Sequence, residues 1–249
     1  MSISNHDIKT IYNEILTNRF KSNYEFERWF THQRVRADYF MMYASIQEQL
    51  KNVSFSKCLE FGPGPGTWTR LLYRANPNAT FTLVDISEEM KKQFYLEMRG
   101  VPNVEYLLSD MTEFESESKF DFFFSSRAIE YLSDKDKFFE KLGALMGDKS
   151  TGIILTKNKD FLYNRRGDKR SQHKQGLLSI EEHRKQLKRV GFNDIHVYPA
   201  IIRLPLIDRL HTVFSEKLFK KVFKHELKDG LLLSLTECYV ITFKRNSVQ

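Results

Sequence analysis

The sequence predicts an α/β fold in which a mostly parallel sheet is covered by helices on both faces. From residue 56 onwards, short apolar runs alternate with longer segments of helical periodicity. Runs such as FDFFF at residues 120–124 are apolar on both faces, as in strands that are buried on both sides. A glycine-rich turn at residues 62–66 marks the passage from the first strand to the next helix.

The first 50 residues have a different pattern. Apolar side chains such as Ile8, Ile11 and Ile15 recur at helical spacing, and the stretch contains neither Pro nor Gly to interrupt helices. We therefore expect a helical cap over residues 1–50 and the main domain over residues 51–249.

Seven apolar runs are the predicted strands, and helical patterns separate most of them. The strands are Lys57–Phe61, Thr80–Val84, Val104–Leu108, Phe120–Phe124, Gly152–Thr156, Asp194–Tyr198 and Glu237–Phe243. The helices are Thr67–Ala75, Ser87–Met98, Ser133–Met146 and Ser179–Val190, with Ser87 and Ser133 as capping residues. Residues 203–230, opened by Pro205 and closed by Gly230, form a predicted helical insertion before the last strand.

Composition excludes several classes of protein. The chain has 249 residues, 21 Phe and 11 Tyr, so it can build a large core, and disorder is excluded for most of it. No run approaches the ~18 apolar residues of a membrane-spanning helix, and the first residues lack the pattern of a secretory signal. Cys58 and Cys238 lie inside apolar runs, where we expect reduced core thiols and no metal site. We therefore expect a cytoplasmic protein.

Positive charge is concentrated in two stretches. The formal net charge is +7, and residues 157–174 and 203–228 together carry more positive charge than this total. Such surfaces attract phosphates, anionic lipid headgroups or nucleic acid, and a peripheral contact with the inner face of a membrane is one consequence. The alternative is a solvated face that keeps the protein soluble.

The segment CLEFGPGPGT, residues 58–67, is the most informative in the chain. Glycines let the backbone approach a ligand closely, and the following helix presents free N–H groups at its start. A P-loop needs a Lys after the last glycine, and none is present. A strict dinucleotide fingerprint needs a glycine at position 67, which is Thr67. What remains is an acid-x-Gly-x-Gly-x-Gly loop.

The string EFGPGPGTWT resembles motif I of the class I S-adenosylmethionine-dependent methyltransferases. The resemblance implies a Rossmann-like, seven-stranded sheet and S-adenosyl-L-methionine as the cofactor. It also implies that Glu60, Gly62, Gly64 and Gly66 contribute to cofactor binding.

Companion motifs follow in the family's order. LVDIS places Asp85 and Ile86 at the end of the second strand, 19 residues after the last glycine, where the carboxylate would accept both ribose hydroxyls. LSDM places Asp110 at the adenine amine and gives Met111 a backbone N–H and an apolar face for the base. FDFFFSS ends in Ser126 and resembles the family's fourth strand. The alternatives are a helix-capping role for Asp85 and an ordinary loop position for Asp110.

The N-terminal helices are expected to close over the cofactor. Arg36, with Arg34 and Tyr39, is the predicted contact for the methionine carboxylate or for the acceptor, because a guanidinium binds a carboxylate in a planar, bidentate way. The alternative is a solvated helix face.

The acceptor is less well defined. SSRAIEYL after the fourth strand lacks the Asn/Asp-Pro-Pro-aromatic motif of amino methyltransferases and the Pro-Cys of cytosine-5 methyltransferases. A weaker resemblance to methyltransferases of surface-polysaccharide and cell-envelope gene clusters implies O-methylation of a small molecule or a lipid- or phosphate-linked glycan. No strong nucleic-acid signal is visible. An RNA or protein methyltransferase recruited by the basic stretches and a non-catalytic cofactor-binding regulator remain as alternatives.

Three residues are candidate catalytic groups. His173 lies in the loop after the fifth strand, on the side where ligands bind parallel sheets, and its imidazole titrates near neutrality. Glu130 and Tyr131, just after the fourth strand, are the second candidates. The alternatives are an exposed loop histidine and the first turn of a short helix.

Overall fold

The structure is a computed structural model that describes residue 10, residues 24–162, residues 177–204, residue 217, residues 219–228 and residues 230–246. His173 and positions 205–216 of the predicted insertion lie outside these residues, as does most of the chain before Tyr24.

Within the described residues, seven strands form one sheet in the order β3-β2-β1-β4-β5-β7-β6. They are β1 Lys57–Phe61, β2 Thr80–Asp85, β3 Val104–Leu108, β4 Phe120–Ser126, β5 Met146–Lys157, β6 Asp194–Ile202 and β7 Thr236–Lys244. Only β7 runs antiparallel to its neighbours, so the predicted seven-stranded, mostly parallel sheet is confirmed. The connections that follow β1 and β4 pass to opposite faces of the sheet. This leaves a crevice at the carboxyl ends of these two adjacent strands.

Seven helices accompany the strands in the described residues. They are α1 Tyr24–Trp29, α2 Gln33–Leu50, α3 Thr69–Ala75, α4 Glu88–Glu97, α5 Lys135–Leu145, α6 Ile180–Arg189 and α7 Leu231–Leu235, with 3-10 turns at Ile129–Tyr131 and Val222–Lys224. Ser87 caps α4 by accepting a hydrogen bond from the Met90 amide. Asp134, one residue after the predicted Ser133, caps α5 through the Lys137 amide. Ser179 and Glu182 form a capping box on α6.

The sheet separates two hydrophobic layers, which is why its strands are apolar on both faces. Phe122 and Phe124 pack in one layer, while Phe123 between them packs in the other. All three rings are fully buried. The helices therefore cover both faces, as the FDFFF run predicts.

The N-terminal helix α2 is part of the first layer. Its residues Met41, Met42 and Ile46 are buried among the strand residues of that layer. Ser45 Oγ donates to the Pro199 carbonyl in β6 at 2.8 Å. Helix α2 thus shares the core of the sheet, while the domain boundary at residue 50 stays a prediction.

Strand β5 and the end of the insertion differ from the predictions. Strand β5 begins at Met146 instead of Gly152, because Met146 pairs with Phe120 before an irregularity in the β4–β5 register. Helix α7 follows Gly230, which has φ of 121° and was the predicted end of helical structure. Cys58 and Cys238 are both fully buried, as expected. Among the described helices, none is long and apolar enough to cross a membrane.

Candidate functional site

A pocket opens at the carboxyl ends of β1, β2 and β4, on the crevice side of the sheet. Four segments line it, and α1 lies over them. The lining residues are Tyr24, Arg28, Trp29, Phe61–Pro65, Thr67, Trp68, Asp85–Ser87, Met90, Asp110, Ser126–Ala128, Tyr131 and Leu132. The predicted residues Gly62, Gly64, Asp85, Ile86, Asp110, Ser126 and Tyr131 are all among them.

The glycine loop, residues 62–66, has the conformation and the close contacts that require glycine. Gly62, Gly64 and Gly66 have φ values of 68°, 56° and 89°. A Cβ on Gly62 would lie 2.4 Å from the Cβ of Ala128, and one on Gly66 would lie 2.9 Å from the Phe94 ring. Gly62 is therefore fixed by contact with the segment after β4, and Gly66 by contact with α4.

Asp85 braces the glycine loop from the end of β2. Its Oδ2 accepts from the Gly64 amide at 3.2 Å, and its Oδ1 accepts from the Ser87 amide at 2.9 Å. The Tyr106 side chain and the Ile86 amide are further hydrogen-bond partners of this carboxylate, so the protein itself uses much of its acceptor capacity of about four lone pairs. Burial raises the pKa of Asp85, while the hydrogen bonds it accepts lower it. Asp85 is not the N-cap of α4, because Ser87 has that role.

Asp110 and Met111 behave differently from each other. Asp110 lines the pocket, and its Oδ1 accepts from the amide and the hydroxyl of Thr112 at 2.8 and 2.9 Å. The Met111 side chain is fully buried in the hydrophobic layer that includes Phe61 and Val84, and it does not line the pocket. The structure therefore does not give Met111 the expected apolar contact with a ligand.

Glu60 also lies behind the pocket wall. It is 1% exposed, and it accepts a hydrogen bond from Thr69 Oγ1 at 2.8 Å. Burial raises the pKa of Glu60 to about 8, and the nearby negative charge of Asp85 adds to this rise. In this structure Glu60 connects β1 to the start of α3 and does not face the pocket.

The segment after β4 forms the opposite wall of the pocket. This β4 wall consists of Ser126, Arg127, Ala128, Tyr131 and Leu132. Arg127 Nε donates to Glu130 Oε1 at 2.7 Å, and the same oxygen accepts from the Lys157 amide at 2.9 Å. Glu130 is 1% exposed and holds Arg127 from behind, so the predicted catalytic carboxylate is not part of the wall.

The N-terminal arginine that lines the pocket is Arg28 rather than Arg36. Arg36 is exposed on α2, donates to the Phe30 carbonyl at 2.9 Å, and is not a lining residue. The guanidinium of Arg28 lies 4.7 Å from the ring centre of Trp29, which also lines the pocket. Arg34, also predicted, is exposed and is not a lining residue, and Tyr39, the third predicted contact, stacks on Trp68 with ring centres 5.4 Å apart.

Sequence reasoning missed Arg28, Trp29, Trp68 and Arg127. Periodicity places Arg28 and Arg36 equally well on helices, and it does not show which helix crosses the pocket. An ion pair between Glu25 of α1 and Arg70 of α3 holds α1 in this position. The aromatic residues beside the glycine loop were the available signal, because Trp68 follows it directly in the chain.

The sheet order, the glycine loop and the acids after β2 and β3 define a nucleotide-cofactor domain of the doubly wound kind. Residues 58–148 match the family model described as methyltransferase domain. This part of the chain is therefore a class I methyltransferase domain, whose cofactor is S-adenosyl-L-methionine.

Curated relatives match part of the chain. It is 25% identical over 162 residues to malonyl-[acyl-carrier protein] O-methyltransferase 2 of Ilyobacter polytropus, a match that covers 62% of this chain and 60% of that protein. It is 25% identical over 108 residues to trans-aconitate 2-methyltransferase of Klebsiella pneumoniae, covering 43% of this chain and 42% of that protein. The chain thus matches less than two thirds of the length of either relative.

Solved structures support the fold over nearly the whole chain. A possible histamine N-methyltransferase from Thermotoga maritima has a TM-score of 0.65 at 16% identity, covering 96% of this chain and 100% of that one. The N-methyltransferase NodS from Bradyrhizobium japonicum, in complex with S-adenosyl-L-homocysteine, has a TM-score of 0.64 at 12% identity, covering 96% and 98%. At these identities the likeness establishes the fold.

Replacing Asp85 with Ala is expected to weaken S-adenosylmethionine binding. The loss of charge-assisted hydrogen bonds costs about 2–4 kcal/mol, which corresponds to ~30- to 1000-fold in affinity. Isothermal titration calorimetry measures this directly. Asp121→Ala is the matched control, because Asp121 also binds two backbone amides, those of Ser56 and Lys57, but does so at the other end of β1. Wild-type affinity in Asp85→Ala would remove Asp85 from the cofactor site.

Replacing Glu60 with Gln is expected to flatten the pH dependence of stability. The pKa of Glu60 is raised from 4.5 to about 8 in the folded protein, so between these values the native state holds a proton that the unfolded chain releases. Stability at this site therefore falls as pH rises through that window, by at most about 1.4 kcal/mol per pH unit. Gln keeps the bond from Thr69 but does not titrate.

Urea unfolding of wild type and Glu60→Gln at several pH values between 5 and 8 measures this effect. The variant is expected to gain stability over wild type as pH rises. Glu115→Gln is the control, because the Glu115 side chain is 86% exposed and its loss should leave the slope unchanged. Parallel curves for wild type and Glu60→Gln would mean that Glu60 is ionised in the native state.

Proposed function

We propose that this chain is an S-adenosylmethionine-dependent O-methyltransferase that acts on a small-molecule or glycan acceptor. The observation that carries the proposal is the two-walled pocket. One wall carries the cofactor motifs, and the β4 wall meets it where Gly62 contacts Ala128. A protein that only bound the cofactor would need the first wall alone.

The pocket residues fit the cofactor. Gly62 and Gly64 let a ligand approach the backbone of the glycine loop, and we assign Asp85 at the end of β2 to the ribose hydroxyls. We assign Asp110, which also lines the pocket, to the adenine amine, and the guanidinium of Arg28 on α1 to the methionine carboxylate.

Bound S-adenosylmethionine supplies an electrophilic methyl group on a sulfonium that leaves as a neutral thioether. The protein then has two tasks, which are to align an acceptor oxygen with the methyl group and to exclude water. Phe61, Trp29, Trp68 and Leu132 give the pocket apolar walls that suit the second task. The β4 wall is adjacent to the glycine loop, so it is suited to aligning the acceptor oxygen with the methyl group.

The names of the two curated relatives support transfer to oxygen and an acceptor that carries carboxyl groups. The first is called an O-methyltransferase of a malonyl group on an acyl-carrier protein, and the second is named for trans-aconitate, a small carboxylic acid. The expectation of a cell-envelope glycan has no comparable support and stays a prediction, as does a peripheral membrane contact.

The test uses cofactor labelled at its methyl group, incubated with the protein and a panel of carboxylic acids, acyl thioesters and envelope glycans. We expect formation of S-adenosylhomocysteine that depends on an acceptor, and mass spectrometry of the product should show a methyl group on oxygen. Gly62→Val is the inactive control, because its side chain would collide with Ala128. Cofactor binding without transfer to any acceptor would favour a regulator, and a methylated nitrogen would contradict O-methylation.

A further inference from the structure

We propose that the methylated group is a carboxylate and that Arg127 binds it, so that the product is a methyl ester. This inference rests on the proposed function and specifies its substrate class.

Arg127 is a fixed cation in the wall of the pocket. Its side chain is 18% exposed, and Nε donates to Glu130 while Nη1 lies 3.6 Å from the Cys238 sulfur. These bonds use two of the five donors of the guanidinium. The three other donors lie at its Nη end, the edge that binds carboxylates in a bidentate way.

The fold holds Arg127 in an unusual backbone conformation. Its φ is 59°, in the left-handed region that non-glycine residues rarely adopt. The Arg127 amide donates to the Leu155 carbonyl at 2.8 Å, and Glu130, itself bonded by the Lys157 amide, holds the side chain. The Leu155 carbonyl and the Lys157 amide both belong to β5, so this strand orients the guanidinium before any ligand binds. Ala128, the next residue, touches Gly62 of the glycine loop.

Ser126 precedes Arg127 in the chain and also lines the pocket. Its hydroxyl is buried and has no hydrogen-bond partner in the described structure. Buried hydroxyls without a partner are uncommon because they lose hydrogen bonds to water. An anionic oxygen of a ligand in the pocket would provide a partner for this hydroxyl.

The chemistry of this wall favours an acceptor that is already an anion. A hydroxyl acceptor needs a base, and a carboxylate at neutral pH does not. In the described β4 wall, Tyr131 is the only ionisable side chain besides Arg127, so this wall contains no carboxylate or imidazole to serve as the base. A cation in the wall also disfavours a protonated amine acceptor.

The step balances without a proton. A lone pair of one carboxylate oxygen forms the O–CH₃ bond, and the C–S bond breaks with its electrons moving to sulfur. The anion and the sulfonium cation become a neutral methyl ester and a neutral thioether. Arg127 holds the other oxygen throughout.

The first experiment examines the chemical nature of the product. The probes are straight-chain mono- and dicarboxylic acids of three to ten carbons, with the matching amides and alcohols, and methyl-labelled cofactor. We expect label only in the acids and its release as methanol on mild alkali treatment. Base-stable label on an alcohol or amide would overturn the carboxylate inference and leave O- or N-methyl transfer standing. No label in any acceptor, with cofactor bound, would instead count against the proposed function.

The second experiment tests Arg127 with the best acid of that panel. Arg127→Gln would leave Glu130 buried without its partner, so the double variant Arg127→Gln/Glu130→Gln removes both charges together. We expect the KM for the acid to rise ~10- to 100-fold in the double variant, with cofactor affinity by calorimetry within about twofold of wild type. Arg127→Lys should recover part of the loss.

Arg184→Gln is the matched control, because Arg184 also pairs with carboxylates, those of Glu181 and Glu226, but does not line the pocket. It should leave the KM unchanged. If the double variant folds, binds cofactor and keeps the wild-type KM for the acid, Arg127 does not bind the acceptor and the inference is wrong. A fall in kcat alone, with KM unchanged, also contradicts it.

Discussion

The contact between Gly62 and Ala128 is the constraint on which the site depends. These residues follow β1 and β4, which are adjacent in the sheet but lead their chains to opposite sides of it. A Cβ on Gly62 would lie 2.4 Å from that of Ala128, so the two turns touch with no room for a side chain. This contact holds the glycine loop against the β4 wall.

The sequence was sufficient for the fold and for the cofactor motifs, and the reason is local. Strands, the glycine loop and the acid at Asp85 are each recognised from a few consecutive residues, so the sequence alone is enough to predict them. The same locality explains the misses. Arg36 and Arg28 lie on neighbouring helices of similar pattern, and only the packing of α1 through Glu25 and Arg70 decides which one reaches the pocket.

Burial explains the other differences between prediction and structure. Glu60 and Met111 belong to the right motifs, but their side chains turn into the protein, Glu60 to Thr69 and Met111 to a hydrophobic layer. Glu130 has a supporting role for the same reason, because it is buried and its Oε1 accepts from both Arg127 and the Lys157 amide. A sequence motif fixes where the backbone goes, whereas the direction of a side chain depends on partners far away in the chain. Arg127 and Lys157, 30 positions apart, illustrate this separation.

Charge balance connects these features to the proposed chemistry. Raising the pKa of Glu60 to about 8 leaves that carboxyl largely neutral at pH 7, so it adds little negative charge behind the cofactor. Arg127 and Glu130 form a buried pair whose charges offset each other and whose cost of desolvation is reduced by hydrogen bonds. A sulfonium and a carboxylate brought together in an apolar pocket would lose their charges as the reaction proceeds. The site then has no developing charge to stabilise. For this reaction a rigid donor, a close-fitting glycine loop and the exclusion of water are enough.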